Sequence, residues 1–495
     1  MPIMDEPTSL DPQIADSNSE KLVAANCYEG LVRIMADGTI GKGVATDWNI
    51  SDDGLTYTFK LRNNSHWAMF SGHKAVLGEN YEDTFDITVK AEDFKFGIER
   101  TLSEQTGSAD APLFSAVKSI STPDDFTIVF NLSYADDNFL YALTNPGAMP
   151  CDEEFFNLTN GKYGLDAKYL LCNGPFHVSK WTEKTSVKLA KNNEYNGESS
   201  VSPSSVTFYI NNDDSEVADK MNSVTYDVAF LSSSQFSSIE NKKDLNSVAV
   251  QNVTYSFIFN QNDNNYRNKN MRLAFCRSCD TSSLFDSQSD ISKADGIVPP
   301  SCKIGGENYR NGNAAELLSY DETLAKKNFN DALLELGSSS VETTILCTEQ
   351  YEPFVKQMVQ KLQKTLGVKF VSTVKVVSES DLEAAVNDGN YSVAFYPFKA
   401  KSSFAGEIIE GFDQNNIFGY ESDVLSQKIR NIKNNSGSLE GERSAVADAE
   451  NYLVSEAVIM PVFYENSYFV TSKKTSGIYF YSSADNVCFI NAKKS

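Results

Sequence analysis

The chain has 495 residues, 41% hydrophobic, 12% aromatic and 22% charged, with a formal net charge of −24. That composition excludes the disordered and fibrous classes, and no apolar run approaches the ~20 residues of a membrane helix. Nucleic acid is excluded as a partner, because 43 Lys and Arg face 67 Asp and Glu and no basic stripe offsets the repulsion from phosphates. At ~150 residues per domain the length predicts roughly three folded units.

The first part of the chain carries strand patterns. In "LTYTFKL", Leu55, Tyr57, Phe59 and Leu61 alternate with polar residues, which predicts a half-buried strand. "FTIVFNL" repeats the alternation with Phe126, Ile128, Phe130 and Leu132. Between them "AEDFKFGIERTL" places Ala91, Phe94, Ile98 and Leu102 at helical spacing.

After about residue 255 the pattern changes. "ETLAKKNFNDALLELG" predicts an amphipathic helix closed by Gly337. A strand "VETTILC" follows, then a helix "EPFVKQMVQKLQKTLG" with Val355, Met358, Val359, Leu362 and Leu366 on one face. The strand "VKFVSTVKVV", the short helix "ESDLEAAVNDG" and the strand "YSVAFYPF" complete a β-α-β-α-β series. Such a series predicts a partly parallel, right-handed α/β lobe. The segment "VAFYPFKAKSSF" lies at the carboxyl end of its last strand, where open α/β sheets bind ligands.

The chemistry of catalysis is thin. Of the three histidines, His66 and His73 are seven residues apart without the carboxylate of a zinc motif, and all three read as structural or surface residues. There is no G-x-S-x-G elbow, no Walker-type phosphate loop and no G-x-G-x-x-G opening a helix. Carboxylate pairs sit in polar loops rather than in the split-pKa environments of acid/base work. Neither metal nor cofactor is expected. The balance favours a binder over an enzyme.

Eight cysteines are too few for a disulfide scaffold but suit one or two bridges in an exported protein. Cys151 and Cys172 flank a modest loop and are the expected bridge. Cys276 and Cys279 in "AFCRSC" read as two thiols one turn apart on a helix, since the strand context of a redox motif is missing.

Taken in order, these blocks resemble one family, the extracellular solute-binding proteins of peptide and nickel ABC transporters, in its oligopeptide- and dipeptide-binding group. "SLDPQIADSNSEKLVAANCYEGLVRI" is similar to the group's opening S-L-D-P and later Y-E-G-L. "ATDWNISDDGLTYTFKLRNNSHW" resembles its Trp, Asp-Gly turn and T-Y-T-F-x-L-R strand, and "VKAEDFKFGIERTL" the A-x-D-x-x-F-x-x-x-R helix that follows. "CNGPFHVSKW", "YSFIFNQND" with "NMRLAF", "GIVPP" and "SEAVIMPVFYENSYFV" match later blocks in family order, from about Ser9 to Val470.

The resemblance implies a type II periplasmic-binding-protein-like α/β fold, two lobes around a cleft joined by two hinge strands, with an extra inserted domain. The first lobe is expected at 1–32, 165–256 and 468–495, the insert at 33–164 and the second lobe at 257–467. It also implies a monomeric receptor that closes on a short peptide or other small solute and delivers it to an ABC permease. The setting would be extracytoplasmic, lipid-anchored on the outer face of the cell membrane or periplasmic. The opening "MPIMDEPTSLDPQ" has no export signal, so the signal and lipid-bearing cysteine are expected to have been removed. A non-peptide solute, namely an anion, an oligosaccharide or a nickel chelate, is the alternative. The three Trp fall at framework positions, which disfavours sugar, and scarce histidine disfavours nickel. An exported hydrolase on this scaffold is a further alternative, lacking a visible nucleophile and base.

Peptide-binding relatives end the strand equivalent to "VAFYPF" with a Trp and then an Asp that pairs with the peptide's amine. Here Phe398 stands at the Trp position and Lys401 at that of the Asp. Lys401 either meets an anionic group on the ligand or points to solvent with Lys399. In the second case Glu29, at the family's ligand-facing glutamate, takes the amine. Tyr396, Asn260 and Gln261 complete the candidate ligand-binding residues.

Overall fold

The structure, a computed structural model, describes residues 1–495 apart from 36–38, 137, 198–199, 282–283, 286–289, 400–403, 414–415, 436–437 and 482–485. The chain divides into two compact units, Met1–Ala249 with Tyr468–Ser495, and Val250–Ser467.

In the first unit, helix α1 (Asn18–Cys27) starts at Ser17, whose side chain accepts from Glu20 N in a reciprocal capping box. Strands β1 (Ala45–Ile50) and β2 (Thr56–Leu61) precede helix α2 (Ala91–Leu102), and β3 (Val117–Asp124) and β4 (Thr127–Leu132) follow it. The four strands form an antiparallel sheet in the order β1-β2-β4-β3. Tyr57, Phe59 and Leu61 are buried while Lys60 is exposed, as the alternation requires. Helix α2 buries Ala91, Phe94 and Ile98; Leu102, in its last turn, stays exposed.

Strands β5 (Phe176–Thr182), β6 (Ser186–Lys191) and β7 (Ser205–Ile210) make a second antiparallel sheet, extended by Pro2–Ile3 running parallel to β7. One apolar core contains Leu22, Val23, Phe59, Phe94, Phe130, Phe176 and Phe208. The 33–164 stretch therefore shares its core with the segments on either side of it.

The second unit is built on a sheet packed on both faces. Strand β8 (Leu245–Phe259) and the later β12 (Ile459–Ser472) are long, and each crosses the division between the units. Between them come helices α3 (Lys269–Ser278) and α4 (Glu322–Leu336), strand β9 (Val341–Cys347), helix α5 (Glu352–Leu366), strand β10 (Phe370–Val376), helix α6 (Glu379–Asn387) and strand β11 (Val393–Lys399). The strands lie in the order β12-β8-β11-β9-β10. β9 is parallel to both β10 and β11, and β8 is antiparallel to β11.

Helix α4 ends at Gly337, whose φ of 62° is the left-handed cap a side chain would resist. Phe257, Ile345, Phe395 and Phe463 belong to the core on one face of the sheet, and Ile258, Leu346, Ala394 and Ile459 to the core on the other. Continuous apolar strands such as "VAF" follow from that two-sided burial.

The expected Cys151–Cys172 bridge is not formed. None of the eight cysteines is bonded to another in the structure. The Cys151 sulfur is engaged by Arg100 Nη1 at 3.5 Å, and the thiol of Cys172 interacts instead with that of Cys27. Cys279 caps α3 one turn beyond Cys276, both buried, with its sulfur 3.2 Å from Met358 Sδ.

His73 is fully buried among Phe70 and Phe155, with Nε2 3.1 Å from Leu170 O. Burial, aided by nearby His177, pushes its imidazole down to about 4. The unfolded chain therefore binds a proton between the ordinary histidine value and about 4 that the folded chain refuses, and stability falls as pH falls through that window. Chemical denaturation should show a loss of about 2 kcal/mol from about pH 7 to about pH 5 attributable to this group, absent in His73→Leu.

Candidate functional site

In the first unit the candidate glutamate sits where three sequence-distant segments meet. Helix α1 ends at Cys27 and the chain turns out through Tyr28 to Glu29. Asn173 clamps that turn from across the unit: its Oδ1 accepts from Glu29 N at 3.0 Å and its Nδ2 donates to Glu29 O at 2.8 Å. Gly174 is required beside it, because a Cβ there would stand 2.7 Å from the Cys27 and Tyr28 backbone.

The Glu29 carboxylate is paired. Arg62, at the end of β2, donates Nη2 to Glu29 Oε2, and Tyr195 donates its hydroxyl to Oε1 at 3.0 Å. Arg62 is itself fixed by Nη1 on Gly43 O at 2.6 Å and Nε on Asn196 Oδ1 at 3.3 Å. Only 4% of the Glu29 side chain and 13% of that of Arg62 are exposed. Burial, and after it the Glu29 charge, raise the Tyr195 phenol above its usual range. Glu29 thus has its charge balanced within the unit, by an arginine and a tyrosine that sequence reasoning did not single out.

In the second unit the end of β11 carries the aromatic residues. Phe395 is buried in one core beside Tyr255, Phe257 and Phe463. Tyr396 and Phe398 lie on the opposite face and are half-buried. Phe398 stacks on Phe412 with centroids 5.8 Å apart and planes at 17°, and meets Tyr396 edge-on at 5.7 Å. Lys399 is exposed, and Lys401 lies outside the described residues.

Asn260 is occupied by the turn it holds, with Nδ2 donating to Gly389 O and Tyr391 O, both at 2.8 Å, and Oδ1 accepting from Asn262 N at 3.0 Å. Gln261 differs. Its backbone is bonded to Phe418 O and Arg267 Nε, but its buried Nε2 has no hydrogen-bond partner among the described residues. Thr254 Oγ1 and Ser256 Oγ on β8 share that state, and their residues pair in register with Phe398 and Tyr396. The structure therefore brings Tyr396 and Phe398 together beside two hydroxyls that sequence reasoning missed; alternation along β8 would have placed them on this face. A separate cavity of about 210 Å³ in this unit is lined by Cys276, Cys279, Lys293, Leu317 and Met460. Among the described residues, no group of three or more His, Cys, Asp or Glu could hold a metal ion.

Truncating either member of the Glu29–Arg62 pair strands a buried charge, at a cost of about 3 kcal/mol or more. Glu29→Ala and Arg62→Ala should each lower unfolding free energy by that order. The double variant should lose less than the sum of the singles by at least about 1 kcal/mol, a coupling read from denaturant titrations of all four proteins.

Residues 39–418 match the family described as bacterial extracellular solute-binding proteins, family 5 Middle. The dipeptide-binding protein DppE of Bacillus subtilis (strain 168) is 24% identical, over 96% of this chain and 88% of its own. The probable D,D-dipeptide-binding periplasmic protein DdpA of Escherichia coli (strain K12) is 22% identical, over 98% and 92%. Among solved structures, the dipeptide binding protein from Pseudoalteromonas sp. SM9913 in complex with Met-Leu superposes with a TM-score of 0.79 at 18% identity, over 100% of this chain and 98% of that one. Listeria monocytogenes OppA bound to peptide gives 0.76 at 21% identity, with the same coverage. The fold is that of the type II periplasmic binding proteins, and the chain belongs to the bacterial extracellular solute-binding proteins of family 5.

Proposed function

We propose that this protein is the solute-capturing receptor of an ABC importer and that its ligands are short peptides. The observation that carries this reading is the likeness, over nearly the whole chain, to relatives named for dipeptide binding. It acts outside the cytoplasm, lipid-anchored on the outer face of the cell membrane or periplasmic, as a monomer that hands its ligand to a permease. Binding and release make and break no covalent bond. Main-chain hydrogen bonds of an extended peptide supply much of the affinity, and wet pockets accept varied side chains. A ligand favours the closed form to the extent that it binds that form better.

The chain's own residues fit such a task. Tyr396 and Phe398 offer half-exposed ring surface, and the Gln261 amide lies on the turn beyond β8, its Nε2 unpartnered among the described residues. The Glu29 Oε1 atom, already accepting from Tyr195, keeps a second lone pair for a ligand ammonium. In the alternative arrangement Lys401, outside the described residues, meets an anionic group on the ligand and Glu29 is not needed for an amine.

Native mass spectrometry of the purified protein, followed by denaturation and identification of what is released, tests the ligand class. A set of short peptides is the expected result. A single anionic or sugar-like mass, with no binding of peptide pools, would replace the peptide reading by the non-peptide one. With a bound peptide in hand, calorimetry on Tyr396→Phe should show affinity reduced about threefold to tenfold. Unchanged affinity removes that hydroxyl from the binding wall.

A further inference from the structure

We propose that Cys27 and Cys172 are joined by a disulfide in the exported protein, a staple that locks the Glu29 turn to the Asn173 clamp. Both residues are essentially without solvent exposure, and neither is bonded to another cysteine. Their thiols interact directly, side chain to side chain. The backbone segments that carry them are bonded as well: Gly174 N donates to Cys27 O at 2.9 Å, and Asn173 holds Glu29 by both its amide and its carbonyl. Gly174 exists as a glycine because the two segments approach too closely for a Cβ. Two buried cysteines whose thiols interact, carried by backbone segments bonded to each other, are placed for a bridge that sequence separation alone would not suggest.

The competing partner for Cys172 is already engaged, since Cys151 is met by Arg100 and Tyr163. Burial raises the Cys27 thiol well above its ordinary value, so in the finished fold it is a poor nucleophile. The bridge therefore forms as the chain folds. One cysteine thiolate attacks a disulfide-bearing oxidant of the extracytoplasmic space and releases one thiol. The second cysteine thiolate then attacks the mixed disulfide and releases the other. One S–S bond is made and one broken, two electrons pass to the oxidant, and the two protons leave with its thiols.

The proposal rests on the extracytoplasmic location argued above, and non-reducing peptide mapping tests it. The exported protein is denatured with N-ethylmaleimide at mildly acidic pH and digested with trypsin. Cleavage after Lys21, Arg33, Lys168 and Lys180 puts the two cysteines on "LVAANCYEGLVR" and "YLLCNGPFHVSK", each with a single cysteine. Cys151 falls on a separate peptide that ends at Lys162. The expected result is one species with the summed mass of the two peptides less two hydrogens, lost on reduction. Reduction should also move the denaturation midpoint of the wild type down, leaving that of Cys27→Ser/Cys172→Ser unmoved. Recovery of Cys172 linked elsewhere, or of both peptides alkylated from the cell-derived and the refolded protein alike, overturns the pairing. The same map on protein refolded with glutathione disulfide separates the two readings. A bridge there, with free thiols in the cell-derived protein, supports the pairing and overturns the location.

Discussion

A carboxylate taken out of water must be given donors, and the way Asp11, Glu20, Glu29 and Glu450 are given theirs holds the irregular parts of this protein in place. Glu20 accepts from Thr8 N and Oγ1 at 2.8 Å each, from Ser9 N at 3.3 Å, from Asp16 N at 3.0 Å and from Ser17 N at 3.2 Å. Burial by itself would raise its carboxyl; the hydrogen bonds from Thr8, Asp16 and Ser17 outweigh that and leave it below its usual value. Glu450, 1% exposed, accepts from Ile297 N at 2.7 Å, Val298 N at 2.9 Å and the Tyr309 hydroxyl at 3.0 Å, and forms an ion pair with Arg310. Each acid on a helix thus ties down a loop that has no ladder of its own to satisfy its N–H groups.

The same constraint explains why the recognisable sequence blocks occur together. Asp11 of "SLDP" receives Arg100 of helix α2 at 2.6 Å, and that guanidinium lies 4.1 Å from the Phe156 ring centroid. Glu29 of "YEGL" receives Arg62 of "KLR", while Asn173 of "NGPF" holds the Glu29 backbone. The "GIVPP" loop hangs on Glu450. Blocks that look independent along the chain are the two ends of single contacts, so losing one end costs the full penalty of an unmatched charge.

This is also where legibility in the sequence ended. Periodicity is a local property, and the helices at Glu322–Leu336 and Glu352–Leu366 and the strands at Thr56–Leu61 and Val341–Cys347 were readable because their buried faces repeat every few residues. Leu102 departed from its stripe because it falls in the last turn of α2, beyond the reach of the core. The site was legible only as residue types. Glu29 was visible as an acid in a motif, but nothing local announces that Arg62 and Tyr195 balance it. Cys172 was visible as a thiol, but sequence proximity pointed to Cys151 while the fold placed it against Cys27. Partner choice between distant residues is decided by tertiary packing, which no window of the sequence contains.

Three polar groups near β11 contrast with Glu20, Glu29 and Glu450. Thr254 Oγ1, Ser256 Oγ and Gln261 Nε2 are buried without partners among the described residues, on the strand and turn that flank Tyr396 and Phe398. A buried donor left unmade costs about 1–3 kcal/mol, and apolar side chains of similar size would have avoided that cost. Asn260, next along the chain, shows that the local fold can consume an amide completely when structure is its only task. Buried polar groups are ordinarily matched, so Thr254, Ser256 and Gln261 mark where this unit departs from the rule that Asn260 obeys.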